Sequence, residues 1–203
     1  YACLKRLYEG FFNVRELTGR INADDLATAS VLIIYIPNRS FSDEEIQAIR
    51  RFVARGGGLF VIGDHTNVFG SSSHLNQLLE GMGFLFRDDV LFDLDADFFQ
   101  LKDVSPLHSG LLHGVTFFKF RGPTSIRSTS LFSRNLFTLG NAKSLRAIYS
   151  VNNFYPPPHD HPKMWSGDFA VSMSSRYGRG RVVGFADSTV FSNFEIFYPG
   201  KYE

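Results

Sequence analysis

One short stretch, residues 56–67, constrains the fold of this chain more than any other. Its three glycines end a helix, its residues 59–62 are apolar and predict a buried strand, and the polar sequence Gly-Asp-His-Thr-Asn follows at 63–67. In an open α/β sheet, ligands bind beyond the carboxyl ends of the strands. The sequence therefore predicts a site directly after this strand.

The residues before this stretch complete a βαβ unit. Residues 31–37 form a continuous, β-branched apolar run that ends at Pro37, which is typical of a strand in the centre of a parallel sheet. The sequence Ser-Asp-Glu-Glu at 42–45 is a capping box, so we expect a helix over 43–55. With a second strand over 58–63, the unit should make a right-handed crossover.

The composition excludes several classes of function. The 21 basic and 20 acidic side chains nearly cancel and are scattered, so no nucleic-acid partner is expected. The single cysteine, Cys3, excludes an internal disulfide framework. No apolar run approaches the ~20 residues of a spanning helix, so we expect no direct membrane insertion by this chain. With 44% hydrophobic residues, the chain can bury one sizeable core, and we expect a single domain over 1–203.

The second half of the chain predicts short strands in a less regular order. Candidate strands lie at 117–120, 124–127 and 146–151, and we expect them to form a β-rich addition to the sheet. Residues 169–174 and 181–186 flank the sequence Arg-Tyr-Gly-Arg-Gly, which predicts a hairpin. A second polar strand end, Asp187-Ser188-Thr189, follows this hairpin.

The two polar strand ends supply the candidate site residues. We expect a polar ligand to be held by Asp64, His65, Thr66, Asn67, Asp187, Ser188 and Asn193. If neighbouring strands bring Asp64, His65 and Asp187 within reach of one atom, these three are candidate ligands of a divalent metal. His65 and Asp187 are also the candidate catalytic residues. The alternative is that both aspartates only cap the turns that follow the strands, and both interpretations are open at this point.

Other polar and aromatic clusters have simpler explanations. We expect His108 and His113 to lie in a structural turn, and His159 and His161 to lie in an exposed proline-rich loop. Asp93, Asp95 and Asp97 are expected on a solvated edge strand. Most of the 22 phenylalanines are expected in the core. Three that are expected in loops are candidate cleft walls or partner contacts: Phe69, Phe154 and Phe191.

Three segments, taken in order, resemble the class I glutamine amidotransferase-like superfamily: residues 56–65 (GGGLFVIGDH), 106–115 (PLHSGLLHGV) and 178–188 (GRGRVVGFADS). Within it, the chain is most similar to degenerate domains of trehalose-utilisation-type proteins and of gliding-motility-type auxiliary proteins of ABC transporters. The resemblance implies an α/β fold, a flavodoxin-like three-layer sandwich with a mainly parallel central sheet and helices on both faces.

One departure from that superfamily bears on activity. Its amidotransferases resemble one another in a cysteine nucleophile on a sharp turn from strand to helix. The corresponding turn here is Gly63-Asp64-His65, whereas Cys3 lies in the first predicted helix. Because the turn has no thiol, covalent glutamine hydrolysis has no nucleophile, and the chain is not expected to be a cysteine-dependent glutamine amidotransferase.

Two functions are consistent with these features. The favoured hypothesis is a non-catalytic binding or interaction domain of a membrane-associated assembly, which holds a small polar ligand or a protein partner at the strand-end cleft. The alternative is a hydrolase, metal-assisted or based on His and Asp, that acts on a carbohydrate or an amide. The chain begins at Tyr1 without an initiator Met, so we expect a fragment of a longer protein. An extracytoplasmic domain of a membrane-anchored protein is favoured over a cytoplasmic location.

Overall fold

The computed structural model of the chain describes residues 2–92, 99–101, 118–146 and 162–193. These ranges contain helices α1 to α4, which are Ala2–Glu9, Ala23–Leu26, Asp43–Ala54 and Ser71–Leu79. Strands β1 to β5 are Val31–Tyr35, Gly58–Ile62, Phe84–Phe86, Asp89–Phe92 and Phe99–Leu101. Strands β6 to β10 are Phe118–Phe120, Ile126–Ser128, Arg134–Arg146, Trp165–Tyr177 and Gly180–Phe185. Two 3₁₀ segments, His65–Gly70 and Thr189–Phe191, follow β2 and β10.

The predicted βαβ unit is present as β1, α3 and β2. The capping box forms at the start of α3, where the Glu45 amide donates to the Ser42 hydroxyl and the Ser42 amide donates to the Glu45 carboxylate. Glu45 is only 2% exposed and also accepts hydrogen bonds from the Ile21 amide at 3.0 Å and from the guanidinium of Arg39 at 2.8 and 2.9 Å. One carboxylate therefore joins the start of the helix to two preceding loops.

Within the described residues, the central sheet has six strands in the order β1-β2-β10-β9-β8-β4. The first three strands are parallel to one another, whereas β9, β8 and β4 pair in antiparallel fashion. The α/β class is confirmed, and the β-rich second half extends this sheet with two strands of 13 residues each. Of the strand expected at 146–151, only Arg146 lies within the described residues, as the last residue of β8, and residues 147–151 lie outside them.

The core lies on the face of the sheet where α3 and α4 contribute apolar side chains. The buried side chains of Leu32, Ile34, Leu59 and Val61 lie on this face, and the same hydrophobic cluster contains Ile49 and Val53 of α3 and Leu75 of α4. A Cβ added at Gly180 would lie 2.1 Å from the Val53 carbonyl oxygen, so only glycine lets β10 approach the end of α3 this closely.

A buried carboxylate anchors β4 to its neighbours. Asp89 is 1% exposed and accepts hydrogen bonds from the Thr124 hydroxyl at 2.8 Å, the Ser125 amide and hydroxyl at 2.8 and 2.6 Å, and the Ser144 hydroxyl at 2.7 Å. These four donors come from β8 and from the segment before β7, so one side chain connects β4 to both of them. No helix in the described ranges is long and apolar enough to cross a membrane.

Candidate functional site

The two predicted polar strand ends lie side by side. Strands β2 and β10 are parallel neighbours, with Ile62 opposite Phe185, and the Gly63 amide donates to the Phe185 carbonyl at 2.9 Å. Asp64 and Asp187 therefore follow the two strands at the same edge of the sheet. The Ser188 hydroxyl donates directly to the Asp64 carboxyl group, which joins the two strand ends.

Both aspartates are buried, and their pKa values are raised. Asp64 is 6% exposed, its Oδ1 accepts from the His65 amide at 2.7 Å, and burial raises its pKa to about 6. Asp187 is fully buried and accepts from the amides of Arg121 at 2.5 Å and Thr189 at 3.0 Å. Burial, together with the nearby charge of Asp64, raises the Asp187 pKa well above its ordinary value. Both carboxyl groups consequently ionise at higher pH than an exposed aspartate does.

His65 is a buried, neutral imidazole. It is 3% exposed, and burial lowers its pKa to about 4 because the protein interior disfavours the charged ring. Its Nδ1 lies 2.8 Å from the Thr66 hydroxyl, and its Nε2 lies 4.0 Å from Asp64 Oδ1. The ring is thus held by neighbouring protein groups and carries no charge at pH 7.

The loop after Asp64 has an unusual backbone. Three residues that are not glycine have positive φ angles, namely Thr66 at 50°, Asn67 at 53° and Phe69 at 54°. This left-handed region is unfavourable for residues with a Cβ, and most of all for branched or bulky ones. The loop, defined as residues 65–70, therefore stores conformational strain next to the buried cluster.

The loop leads directly into α4. The Asn67 side chain caps this helix, because its Oδ1 accepts from the Ser73 amide at 3.0 Å and its Nδ2 donates to the Ser73 hydroxyl at 2.9 Å. In the first turn, the hydroxyls of Ser71 and Ser72 are buried and have no hydrogen-bond partner within the described part of the chain. Phe69, in contrast, is 55% exposed at the tip of the loop.

The structure brings five of the seven predicted ligand-binding residues together. The residues that the structure brings together at the buried cluster are Asp64, His65, Thr66, Asp187 and Ser188. Asn67 faces α4 instead, and Asn193 is the last described residue, beyond the second 3₁₀ segment. Both aspartates make the capping contacts that were the alternative to a catalytic or metal site. Among the described residues, no three His, Cys, Asp or Glu side chains are placed to hold one metal ion.

Several other candidates lie outside the described residues, and for them the sequence predictions stand untested: His108, His113, His159, His161, Asp93, Asp95, Asp97 and Phe154. Phe191 packs against the sheet, with its ring 5.2 Å from Phe185 and 6.1 Å from Phe60.

Sequence reasoning missed two contacts of the cluster. The Arg121 amide, directly after β6, donates to Asp187, and the Tyr35 hydroxyl donates to the Ser188 carbonyl at 2.6 Å.

Comparison with known proteins gives a family and a fold. A family model described as an ABC-type uncharacterized transport system matches residues 1–110, which is more than half of the chain. No curated protein matches the sequence. Among solved structures, the mmIFT52 N-terminal domain is similar with a TM-score of 0.69 and 13% identity, over 94% of this chain and 80% of that one.

Two bacterial structures are also similar. The cytoplasmic protein STM1381 from Salmonella typhimurium LT2 has a TM-score of 0.58 and 16% identity, over 98% of this chain and 80% of that one. A ThuA-like protein from Bacteroides uniformis has a TM-score of 0.52 and 16% identity, over 93% of this chain and 74% of that one. At such low identity, these likenesses establish the fold and not the activity.

Proposed function

The chain belongs to the family described as an ABC-type uncharacterized transport system, and we propose that it is a non-catalytic binding domain of such an assembly. The strained loop 65–70 is its recognition element, and its ligand is a protein partner of the transport system. The observation that carries this proposal is the left-handed backbone at Thr66, Asn67 and Phe69. Strained backbone of this kind persists only where surrounding structure enforces it, and it concentrates at functional sites.

The buried cluster holds the loop in its strained conformation. Asp64 bonds to the His65 amide at the start of the loop and to Ser188 on the neighbouring strand end, while Asn67 fixes the other end of the loop to α4. The hydroxyls of Ser71 and Ser72, which have no hydrogen-bond partner among the described residues, add a further unfavourable contribution at the same place. Binding sites are often formed by loops that a rigid scaffold holds in place, with an exposed aromatic side chain as anchor. The strained loop 65–70, with Phe69 exposed, has both features.

The burial of the polar cluster argues against direct use of its side chains in catalysis. Asp64, His65 and Asp187 are at most 6% exposed, and each has hydrogen-bond partners within the protein. The turn Gly63-Asp64-His65 also has no thiol. We infer that the chain is a degenerate, flavodoxin-like member of the amidotransferase-like superfamily, in which the strand-end polar groups position a loop. The hydrolase alternative predicts turnover of a carbohydrate or amide substrate that is lost in His65→Ala.

The proposal is tested by retention of transporter subunits on the affinity-tagged, full-length protein. Phe69→Ala should lower this retention at least about tenfold, because exposed aromatic anchors often dominate interface energies. The matched control is Phe132→Ala, since Phe132 is 85% exposed in the turn before β8, far along the chain from the loop. Equal retention by both variants would refute the role of the loop. If the wild type hydrolyses a substrate and His65→Ala does not, the hydrolase hypothesis would replace the binding hypothesis.

A further inference from the structure

A second exposed surface lies on the sheet at the other ends of the parallel strands. Ile33, Phe60 and Val183 pair in one row across β1, β2 and β10, so their side chains lie on the same face. Ile33 is 40% exposed and Val31 is 57% exposed, although both belong to an apolar strand. In α/β proteins, both faces of parallel strands are normally covered. Here the Phe191 ring lies 6.1 Å from Phe60, whereas toward the strand starts Val31 and Ile33 stay exposed.

The face contains a cavity of about 580 Å³. The next row toward the strand starts is Val31, Gly58 and Arg181, so the glycine leaves a depression between an apolar and a cationic side chain. Phe60 and Val183 also line the cavity, which makes its floor apolar. Its volume is in the range of sites that hold ligand side chains or small molecules.

Three arginines border this cavity: Arg176, Arg179 and Arg181. Arg176 and Arg181 face each other across the β9–β10 pair, and Arg179 lies in the turn between the two strands. All three are exposed, and within the described ranges none of their guanidinium groups takes part in an ion pair or hydrogen bond. The cavity thus has an apolar floor and a cluster of positive charges at one end. This surface is complementary to a segment that has an apolar face and acidic residues at one end.

We propose that this face binds one amphipathic helix of a protein partner, with Asp or Glu in the last turn of that helix lying at the three arginines. Three strands at about 4.8 Å spacing span about 10 Å, which matches the diameter of a single helix. The arginines favour the carboxyl end of the helix, since its macrodipole is negative there. The surface is separate from loop 65–70 and does not depend on the role proposed for that loop.

The test uses the full-length protein with a photo-crosslinking benzoylphenylalanine in place of Ile33, activated in cells that contain the transport assembly. The captured segment, identified by mass spectrometry, should belong to another protein, with apolar residues at helical spacing and at least two carboxylates in its last turn. The same probe at the fully exposed Leu131 should not capture it. The double variant Arg176→Glu and Arg181→Glu should lower the yield about tenfold, whereas Arg127→Glu, on an exposed site of β7, should not.

A charge swap separates recognition from misfolding. A synthetic peptide of the captured segment, with Lys in place of its acidic residues, should bind the double glutamate variant more tightly than it binds the wild type. The proposal is overturned if the crosslink joins residues 194–203 of the same chain, a second copy of this chain or a lipid. It is equally overturned if no crosslink forms or if charge reversal leaves the yield unchanged.

Discussion

Replacing Asp64 by Asn should stabilise the protein at neutral pH and leave its stability nearly unchanged in acid. The folded-state pKa of Asp64 is raised from 3.8 to about 6 by burial, so its ionisation destabilises the fold progressively between these two pH values. Because one pKa unit corresponds to about 1.4 kcal/mol, the full effect above pH 6 is about 3 kcal/mol. Asn has the same shape and no charge, and its amide can donate to Ser188 where the carboxylate now accepts.

The assay is urea denaturation of the wild type and Asp64→Asn at pH 4.0 and pH 7.5, with thermal melts in parallel. The variant should gain up to about 3 kcal/mol at pH 7.5, or about 6 to 12 °C for a chain of this size, and only about 0.5 kcal/mol at pH 4.0. Relief of the repulsion with Asp187 acts in the same direction. The control is Asp88→Asn, because hydrogen bonding to Arg146 lowers the pKa of that exposed carboxyl and gives the opposite pH trend. A loss of stability in Asp64→Asn at pH 7.5 would refute the reasoning.

Three further changes test the structural framework by urea denaturation. Glu45→Gln should cost about 3 kcal/mol at pH 7, since hydrogen bonds from Arg39 lower the Glu45 pKa from 4.5 to about 2. In the wild type this contribution is present above pH 4.5 and is lost as the pH falls toward 2. Asp89→Ala should cost about 3 kcal/mol or more, because it removes the acceptor of the Ser125 amide and of the Ser125 and Ser144 hydroxyls. Gly180→Ala should cost at least about 2 kcal/mol, since its Cβ would lie 2.1 Å from a carbonyl oxygen, whereas Gly19→Ala has nothing within 4 Å and should be nearly neutral.

The first half of the fold was predictable because its signals are local. The capping box at Ser42 and the β-branched run at 31–37 define a helix and a strand without reference to the rest of the chain. The meeting of Asp64 with Ser188 and Asp187 was also predictable, since parallel strands end at the same edge of a sheet. The hairpin before Asp187 is confirmed by β9 and β10.

The parts that escaped prediction depend on long-range structure. Thr66 and Phe69 adopt positive φ although a branched or aromatic residue disfavours it, so no propensity rule could identify the strain. The Arg121 amide bonds to an aspartate 66 positions later in the chain, and the burial of that aspartate follows only from the packed sheet. The two 13-residue strands carry mixed polar and apolar residues that obscure their period. Partner, ligand and location stay predictions.

The buried cluster acts on the loop through three strand ends. Tyr35 at the end of β1 donates to the Ser188 carbonyl, Ser188 after β10 donates to Asp64, and Asp64 after β2 accepts from the His65 amide. Together these hydrogen bonds restrain the start of loop 65–70, so its backbone does not relax toward ordinary φ angles. A strained conformation that is enforced from three directions is pre-organised, so binding through Phe69 would require little further ordering of the loop. The pre-organised loop thus explains why the chain keeps Asp64 and Asp187 as a buried pair, although their ionisation destabilises the fold at neutral pH.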